Sequence, residues 1–263
     1  MSGKRAKRRL KKEVMLALVS ISALLMFTFT NVIKGVSTEN TGKKSESSIS
    51  ASDSSINEEG QIVPSEKEVF AKKPVIVIDP AFGGEYAGSK GAHGILQKDV
   101  NLDIALKVQK ALKRYDDIDV YLTRDTDVTV PYEKRVALIK EKKANVVISI
   151  QQNTEGTKTA SGVETYILSK KDYPNSDNRL GYSIQNAMTM YSPAKSRGVM
   201  SRNTDILKDA YSNGAVGAVV YTGFITNEKE AKNLTTDKYT EKLGEGIAQG
   251  ILSYVDKIQD EKK

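Results

Sequence analysis

The stretch PVIVIDPAFGGEYAGSKGAHGILQKDVNL, residues 74–102, runs through a strand, a glycine-rich loop and the start of a helix without interruption. Pro74 to Ile78 is almost continuously apolar and stops at Asp79-Pro80, which is how a strand buried on both faces reads. Gly83, Gly84, Gly88, Gly91 and Gly94 follow, and a loop this rich in glycine can take positive φ and bring its backbone close to a partner. Asp99 reads as the cap of a helix from Val100 to Arg114, because Leu102, Ala105, Val108, Ala111 and Leu112 then share one face.

Outward from this stretch the alternation continues. Ile118 to Thr123 reads as a strand, Tyr132 to Lys143 as a helix behind Pro131, and Ala144 to Ile150 as another buried strand. A strand at Val163 to Leu168, a helix around Leu180 to Tyr191, a strand at Val216 to Tyr221 and a closing helix from Tyr239 to Val255 complete the pattern. The expected class is α/β: a single domain over residues 73–258, with a largely parallel central sheet and helices on both faces. In such sheets ligands gather where strands end at their carboxyl edge. The peptides there are Asp79-Pro80-Ala81-Phe82-Gly83-Gly84, Gln151-Gln152-Asn153 and Tyr221-Thr222-Gly223-Phe224-Ile225-Thr226-Asn227. Gly83 and Gly88 have the spacing of a phosphate loop, but Ser89-Lys90 reverses the order that loop needs and the helix starts too late.

Composition removes whole classes of chemistry. The 263 residues include no cysteine and one histidine, His93, so disulfides, cysteine nucleophiles and zinc held by two or three histidines cannot be built. A Ser-His-Asp arrangement would have to use His93, while carboxylate-pair chemistry stays open. The formal charge of +7 resides in residues 1–36, and the rest of the chain balances at 32 basic against 32 acidic residues. A domain without net positive charge lacks the footprint of phosphate-backbone binding, so no nucleic acid is expected as a partner.

Residues 1–13 form a basic tail, and Val14 to Ile33 is an uncharged apolar run of 20 residues, about the 30 Å of a bilayer core. Seven positive residues precede the run and only Lys34 follows closely, so residues 14–33 read as a single-pass signal anchor with the amino end cytoplasmic and the domain extracytoplasmic. The competing reading, a cleaved signal peptide, fits less well because the run is long and no A-x-A-like site follows it. Residues 34–72 are serine-rich and poor in apolar side chains, the composition of a flexible tether. Residues 259–263 are a short tail.

The peptides at the carboxyl edge resemble the zinc-dependent N-acetylmuramoyl-L-alanine amidases, which cut the bond between muramic acid and the stem peptide of the bacterial cell wall. The family pattern DPGHGGxDxGAxGxxGxxEKDxNL aligns without a gap on Asp79 to Leu102, matching Asp79, Pro80, Gly83, Gly84, Gly88, Gly91, Gly94, Lys98, Asp99, Asn101 and Leu102. Later matches are Leu122-Thr123-Arg124 with Asp127, Arg135, Ser149-Ile150 with Asn153, Gly162 to Tyr166, Arg197-Gly198-Val199, and Gly223-Phe224 with Asn227 and Glu230. The resemblance spans residues 74–255.

Four departures fall on the positions that the resemblance assigns to chemistry. The family's two zinc-binding histidines fall on Phe82 and Gln151, its zinc-binding glutamate on Gln97 and its catalytic glutamate on Tyr221. A ring without a donor atom, two neutral amides and a phenol of pKa near 10 are poor substitutes for imidazole and carboxylate. The expectation is a degenerate member with no metal, no cofactor and no catalytic residues. Phe82 and Tyr221, with Gln97 and Gln151 able to hydrogen-bond each other or a ligand amide, are expected either to plug the former metal cavity or to leave an uncharged groove. In the second case Asn153, Arg197 and Tyr221 are the candidate ligand contacts, Arg197 being suited to a stem-peptide carboxylate.

The implied function is that of a regulator, scaffold or peptidoglycan-binding module in cell-wall remodelling, with peptidoglycan, a stem peptide, an active amidase or another envelope protein as partner. The alternative is an active cell-wall amidase with rebuilt chemistry, drawing on His93 as a loop ligand or on Asp79, Asp99 and Glu164 as a new carboxylate set. A third reading is a purely structural partner domain.

Overall fold

The computed structural model describes residues 55–56, 62–63 and 73–261. Six strands form the central sheet: β1 (Val75–Pro80), β2 (Asp119–Leu122), β3 (Val146–Asn153), β4 (Val163–Ile167), β5 (Ser196–Ser201) and β6 (Val216–Phe224). The helices are α1 (Gln97–Leu112), α2 (Tyr132–Lys142), α3 (Arg179–Tyr191), α4 (Asp205–Ser212), α5 (Glu228–Leu234) and α6 (Asp237–Asp260). Strand order is β2-β1-β3-β6-β4-β5.

The sheet is mixed rather than largely parallel. β2, β1, β3 and β6 run parallel, but β4 pairs antiparallel with β6 and carries β5 with it. The connection explains the reversal. Residues 154–162 join β3 to β4 without a helix, and a parallel return needs a crossover of a dozen residues or more. β4 therefore enters from the opposite end, alongside β6.

Alternation along the inner strands separates two cores. Ile76, Ile78, Val146, Ile148, Ile150, Ala218 and Val220 lie beneath α1, α3 and α6, while Val77, Val147 and Val219 face α2 and α4. Each aliphatic side chain fully withdrawn from water contributes about 1.5–3 kcal/mol, so strands buried on both faces anchor the fold. β5 (SRGVMS) escaped the sequence reading because it is a polar edge strand with Gly198 at positive φ. The short helices α4 and α5 were missed with it.

α1 starts at Gln97, three residues before the expected Val100, and Asp99 is an exposed residue of its first turn rather than its cap. The glycine loop is the cause: the carbonyls of Ser89 and Ala87 accept the N–H groups of Gln97 and Lys98, so the helix closes earlier. The membrane run 14–33, the basic tail and most of the tether 34–72 lie outside the described residues. Within the tether, Ser55–Ile56 and Ile62–Val63 form a short antiparallel pair, so that part is not irregular. Among the described residues no helix is long and apolar enough to cross a membrane.

Candidate functional site

The chain leaves β1 through a loop held from three directions. Arg124 is buried and donates to the carbonyls of Pro80 (3.1 Å), Ala81 (3.4 Å), Lys98 (2.8 Å) and Thr126 (3.1 Å), while burial pulls its guanidinium below the ordinary value. Asn101 of α1 donates to Ala81 O at 2.7 Å. Lys98 bridges the Gly84 carbonyl (2.9 Å) and Asp127 (2.5 Å), whose other oxygen accepts the Gly84 N–H at 2.8 Å. These family-pattern residues are scaffold: they satisfy the backbone of a loop that has no ladder of its own. Asp79 belongs with them, since it is fully buried, gripped by both arms of Arg135 and bonded by Thr123 Oγ at 2.9 Å.

Of the four departing positions, Phe82, Gln151 and Tyr221 stand at or just beyond adjacent strand ends, and Gln97 opens α1. Ala81 N donates to Ile150 O at 3.2 Å, so Phe82 and Gln151 each follow a residue of one bonded pair. Gln151 is the register partner of Tyr221 on β6. Gln97 and Phe82 meet over Gly88: a Cβ built there would stand 2.6 Å from Gln97 Oε1 and 2.8 Å from Phe82 Cδ2. Only glycine fits that point, where φ is also +68°.

Their contacts differ from the expected plug. Gln97 does not bond Gln151; its Oε1 accepts from Ser89 N at 2.6 Å and its Nε2 donates to Gln152 O at 2.5 Å. Its partners are backbone groups fixed in place, one in the glycine loop and one in β3. Phe82 is no buried filler: it is 40% exposed and takes left-handed φ of +66°. The Gln151 amide has no hydrogen-bond partner among the described residues. Tyr221 is half-buried, set edge-on to Tyr166 at 5.2 Å, and burial pushes its phenol up while the Arg202 guanidinium pulls the other way.

Of the candidate ligand contacts, Asn153 and Arg197 converge on buried Glu164. Asn153 Nδ2 bonds Glu164 Oε1, Tyr166 OH donates to the same oxygen at 3.1 Å, and Arg197 Nε reaches Oε2 at 2.8 Å. Arg197 also lies over the Phe224 ring at 4.8 Å, and Arg202 over Tyr166 at 4.3 Å. Glu164 thus pairs with Arg197 and accepts from Asn153 and Tyr166 instead of forming a carboxylate set with Asp79 and Asp99. Asp99 borders a separate cleft of about 350 Å³ with Asp103, Lys107 and Asp237, and His93 is exposed on a short turn. Sequence reasoning matched Tyr166 to the family pattern without giving it a role and overlooked Arg202; the alternation that puts Tyr166 on the same strand face as Glu164 was the available signal. It also left Asn227 and Glu230 without roles. Asn227 caps α5, and Glu230, its carboxyl raised by burial, accepts the N–H groups of Gly162 and Phe224 at 2.7 Å each.

The zinc that the family pattern implies finds no matching donors. Among the described residues no three of His, Cys, Asp and Glu gather to hold a metal ion, and the four positions present a ring, two amides and a phenol. This set does not fit a divalent cation, and no step is derived through one.

A family model described as N-acetylmuramoyl-L-alanine amidase matches residues 76–253. YqiI of Bacillus subtilis, an uncharacterized protein, is 33% identical over 181 residues, which are 69% of this chain and 84% of YqiI. The crystal structure of an N-acetylmuramoyl-L-alanine amidase from Clostridium difficile 630 aligns with a TM-score of 0.65 at 30% identity, over 71% of this chain and 98% of that one. The CwlD amidase from Clostridioides difficile, solved in complex with the GerS lipoprotein, aligns at 0.61 with 27% identity, over 70% and 98%. With the strand-end peptides in the family's order and its model spanning most of the folded part, this chain belongs to the N-acetylmuramoyl-L-alanine amidase family.

Proposed function

We propose that this protein is a non-hydrolytic member of the amidase family, anchored in the membrane through residues 14–33 with its domain outside, acting in cell-wall remodelling as a regulator, scaffold or peptidoglycan-binding module. The observation that carries this reading is the state of Gln97. Where the family pattern has a zinc-binding carboxylate, an amide sits with both ends committed to backbone groups, Ser89 N and Gln152 O. A Lewis acid needs electron-pair donors aimed at it, and this side chain aims a donor hydrogen at a carbonyl instead. The changes at Phe82, Gln151 and Tyr221 support the same reading. The partner is peptidoglycan or its stem peptide, or a second envelope protein such as an active amidase; the CwlD relative, solved with a lipoprotein, makes the protein partner reasonable.

Metal content and release of stem peptides from purified wall, both measured on the full-length chain, test the reading. Zinc below stoichiometry and no release above background are expected. Stoichiometric zinc or robust turnover would establish an active amidase with rebuilt chemistry and end the proposal.

A further inference from the structure

We propose that the cleft between α1 and the α5–α6 junction receives a lysine side chain from an apolar-flanked segment of a partner protein. The cleft, about 350 Å³, stands apart from the strand-end peptides. None of the four departing positions lines it, so the proposal holds or fails independently of the non-hydrolytic reading. Ile95, Leu96, Val100 and Leu234 give it apolar walls. Ile95 and Leu96 remain only half-buried there, and the alkyl stem of a lysine can cover them while its head stays among polar groups.

The rim is acidic: Asp99, Asp103 and Asp237 face a single cation, Lys107, among the lining residues. That ammonium is already spent, with Asp103 at 2.9 Å, Asp237 at 2.6 Å and Thr240 Oγ1 at 2.5 Å. The Asp99 carboxylate is exposed and has no hydrogen bond or ion pair among the described residues. Two local costs face the same space. Asp99 and Asp103 are like charges four apart on one helix, which weakens it. Leu96 holds the N-cap of α1 without giving a cap bond, where Ser, Thr, Asp or Asn would serve better. An ammonium beside Asp99 relieves the first cost, and an apolar stem against Leu96 makes use of the second. Charge complementarity thus selects a cation, and the apolar walls select one on an alkyl chain. Leu106 is exposed one turn further along the α1 face that carries Asp99 and Asp103. A free amine would leave that side chain bare, whereas a peptide with an apolar residue beside its lysine covers it.

The test titrates the methyl-labelled full-length chain, in neutral detergent, with acetyl-Leu-Lys-Leu-amide and with the same peptide carrying norleucine in place of lysine. Saturable movement of the Val100 and Leu234 methyl signals is expected with the lysine peptide, at a dissociation constant of about 1 mM. The norleucine peptide should bind about fivefold more weakly. Asp99→Asn, and Thr235→Lys in the exposed wall of the cleft, should each weaken the lysine peptide about threefold and together about tenfold. Equal affinity for the two peptides, no saturable shift, or undiminished binding in the double variant overturns the proposal. So does a cleft filled from within. Val100 and Leu234 signals that change with protein concentration assign it to a second copy, and signals that change without peptide when Lys43, Lys44 and Lys67 become serine assign it to the tether. None of these outcomes touches zinc content or stem-peptide release, which decide the non-hydrolytic reading.

Discussion

Exchanging a carboxylate oxygen for an amide nitrogen at position 97 turns a repulsive contact with the Gln152 carbonyl into a hydrogen bond. Gln97→Glu reverses that exchange. Lost bonding and a buried charge cost about 1–3 kcal/mol or more, while the start of α1 returns about 0.3–1 kcal/mol to an anion, so the variant is less stable near neutral pH. A carboxyl in that contact has a raised folded pKa, so the loss grows as pH rises above the ordinary glutamate value of about 4.3. Below it the protonated group donates to Gln152 O and stability returns. Urea midpoints across pH check this, and a variant as stable as the parent at pH 7 would refute it. The position itself was legible from a gapless motif, but the behaviour of Phe82 was not. An apolar side chain reads as buried, and the left-handed backbone that holds this one outward has no signature in residue type.

Between α3 and α6 the helices approach so closely that Gly250 has no room for a side chain: a Cβ there would stand 2.8 Å from Ile184 N and 2.9 Å from Ser183 O. In isolation Gly250→Ala improves helix propensity by about 1 kcal/mol. Forcing two backbones apart costs about 1–3 kcal/mol, so packing prevails and the variant unfolds at lower urea. A more stable variant would mean that this contact yields easily. Strand positions were readable for a related reason, since runs as nearly apolar as Val146 to Ile150, broken only by Ser149, admit little but burial on both faces. Strand direction was not readable from those runs, because β4 buries Val163 to Ile167 whichever way it points. The short connection between Asn153 and Val163 held the information, and the general rhythm of strands and helices masked it.

Across the whole molecule, the family-pattern residues that survive hold the loops, and of those that differ Gln97 still ties the start of α1 to the glycine loop and to β3. Buried polar clasps add to the apolar core, and one of them ties the start of α3 to α6. Asp177, buried before α3, accepts from Arg179 N and Nε at 2.9 Å each, from Arg179 Nη2 at 2.8 Å and from Tyr254 OH of α6 at 2.7 Å. Arg179 in turn reaches Glu261 just beyond α6 at 2.8 Å. Burial opposes ionisation of Asp177, but the bonds from Arg179 and Tyr254 outweigh it and hold its pKa below the ordinary 3.8. A depressed folded pKa gives stability that is present above the unfolded value and lost as pH falls through the folded one. Asp177→Asn should therefore cost about 1.5–3 kcal/mol near neutral pH, with the gap from the parent narrowing below about pH 4. Urea unfolding of both proteins from pH 7 to acid measures that gap directly. Curves that stay parallel throughout would show that the clasp binds Asp177 no more tightly as an anion than as a neutral acid.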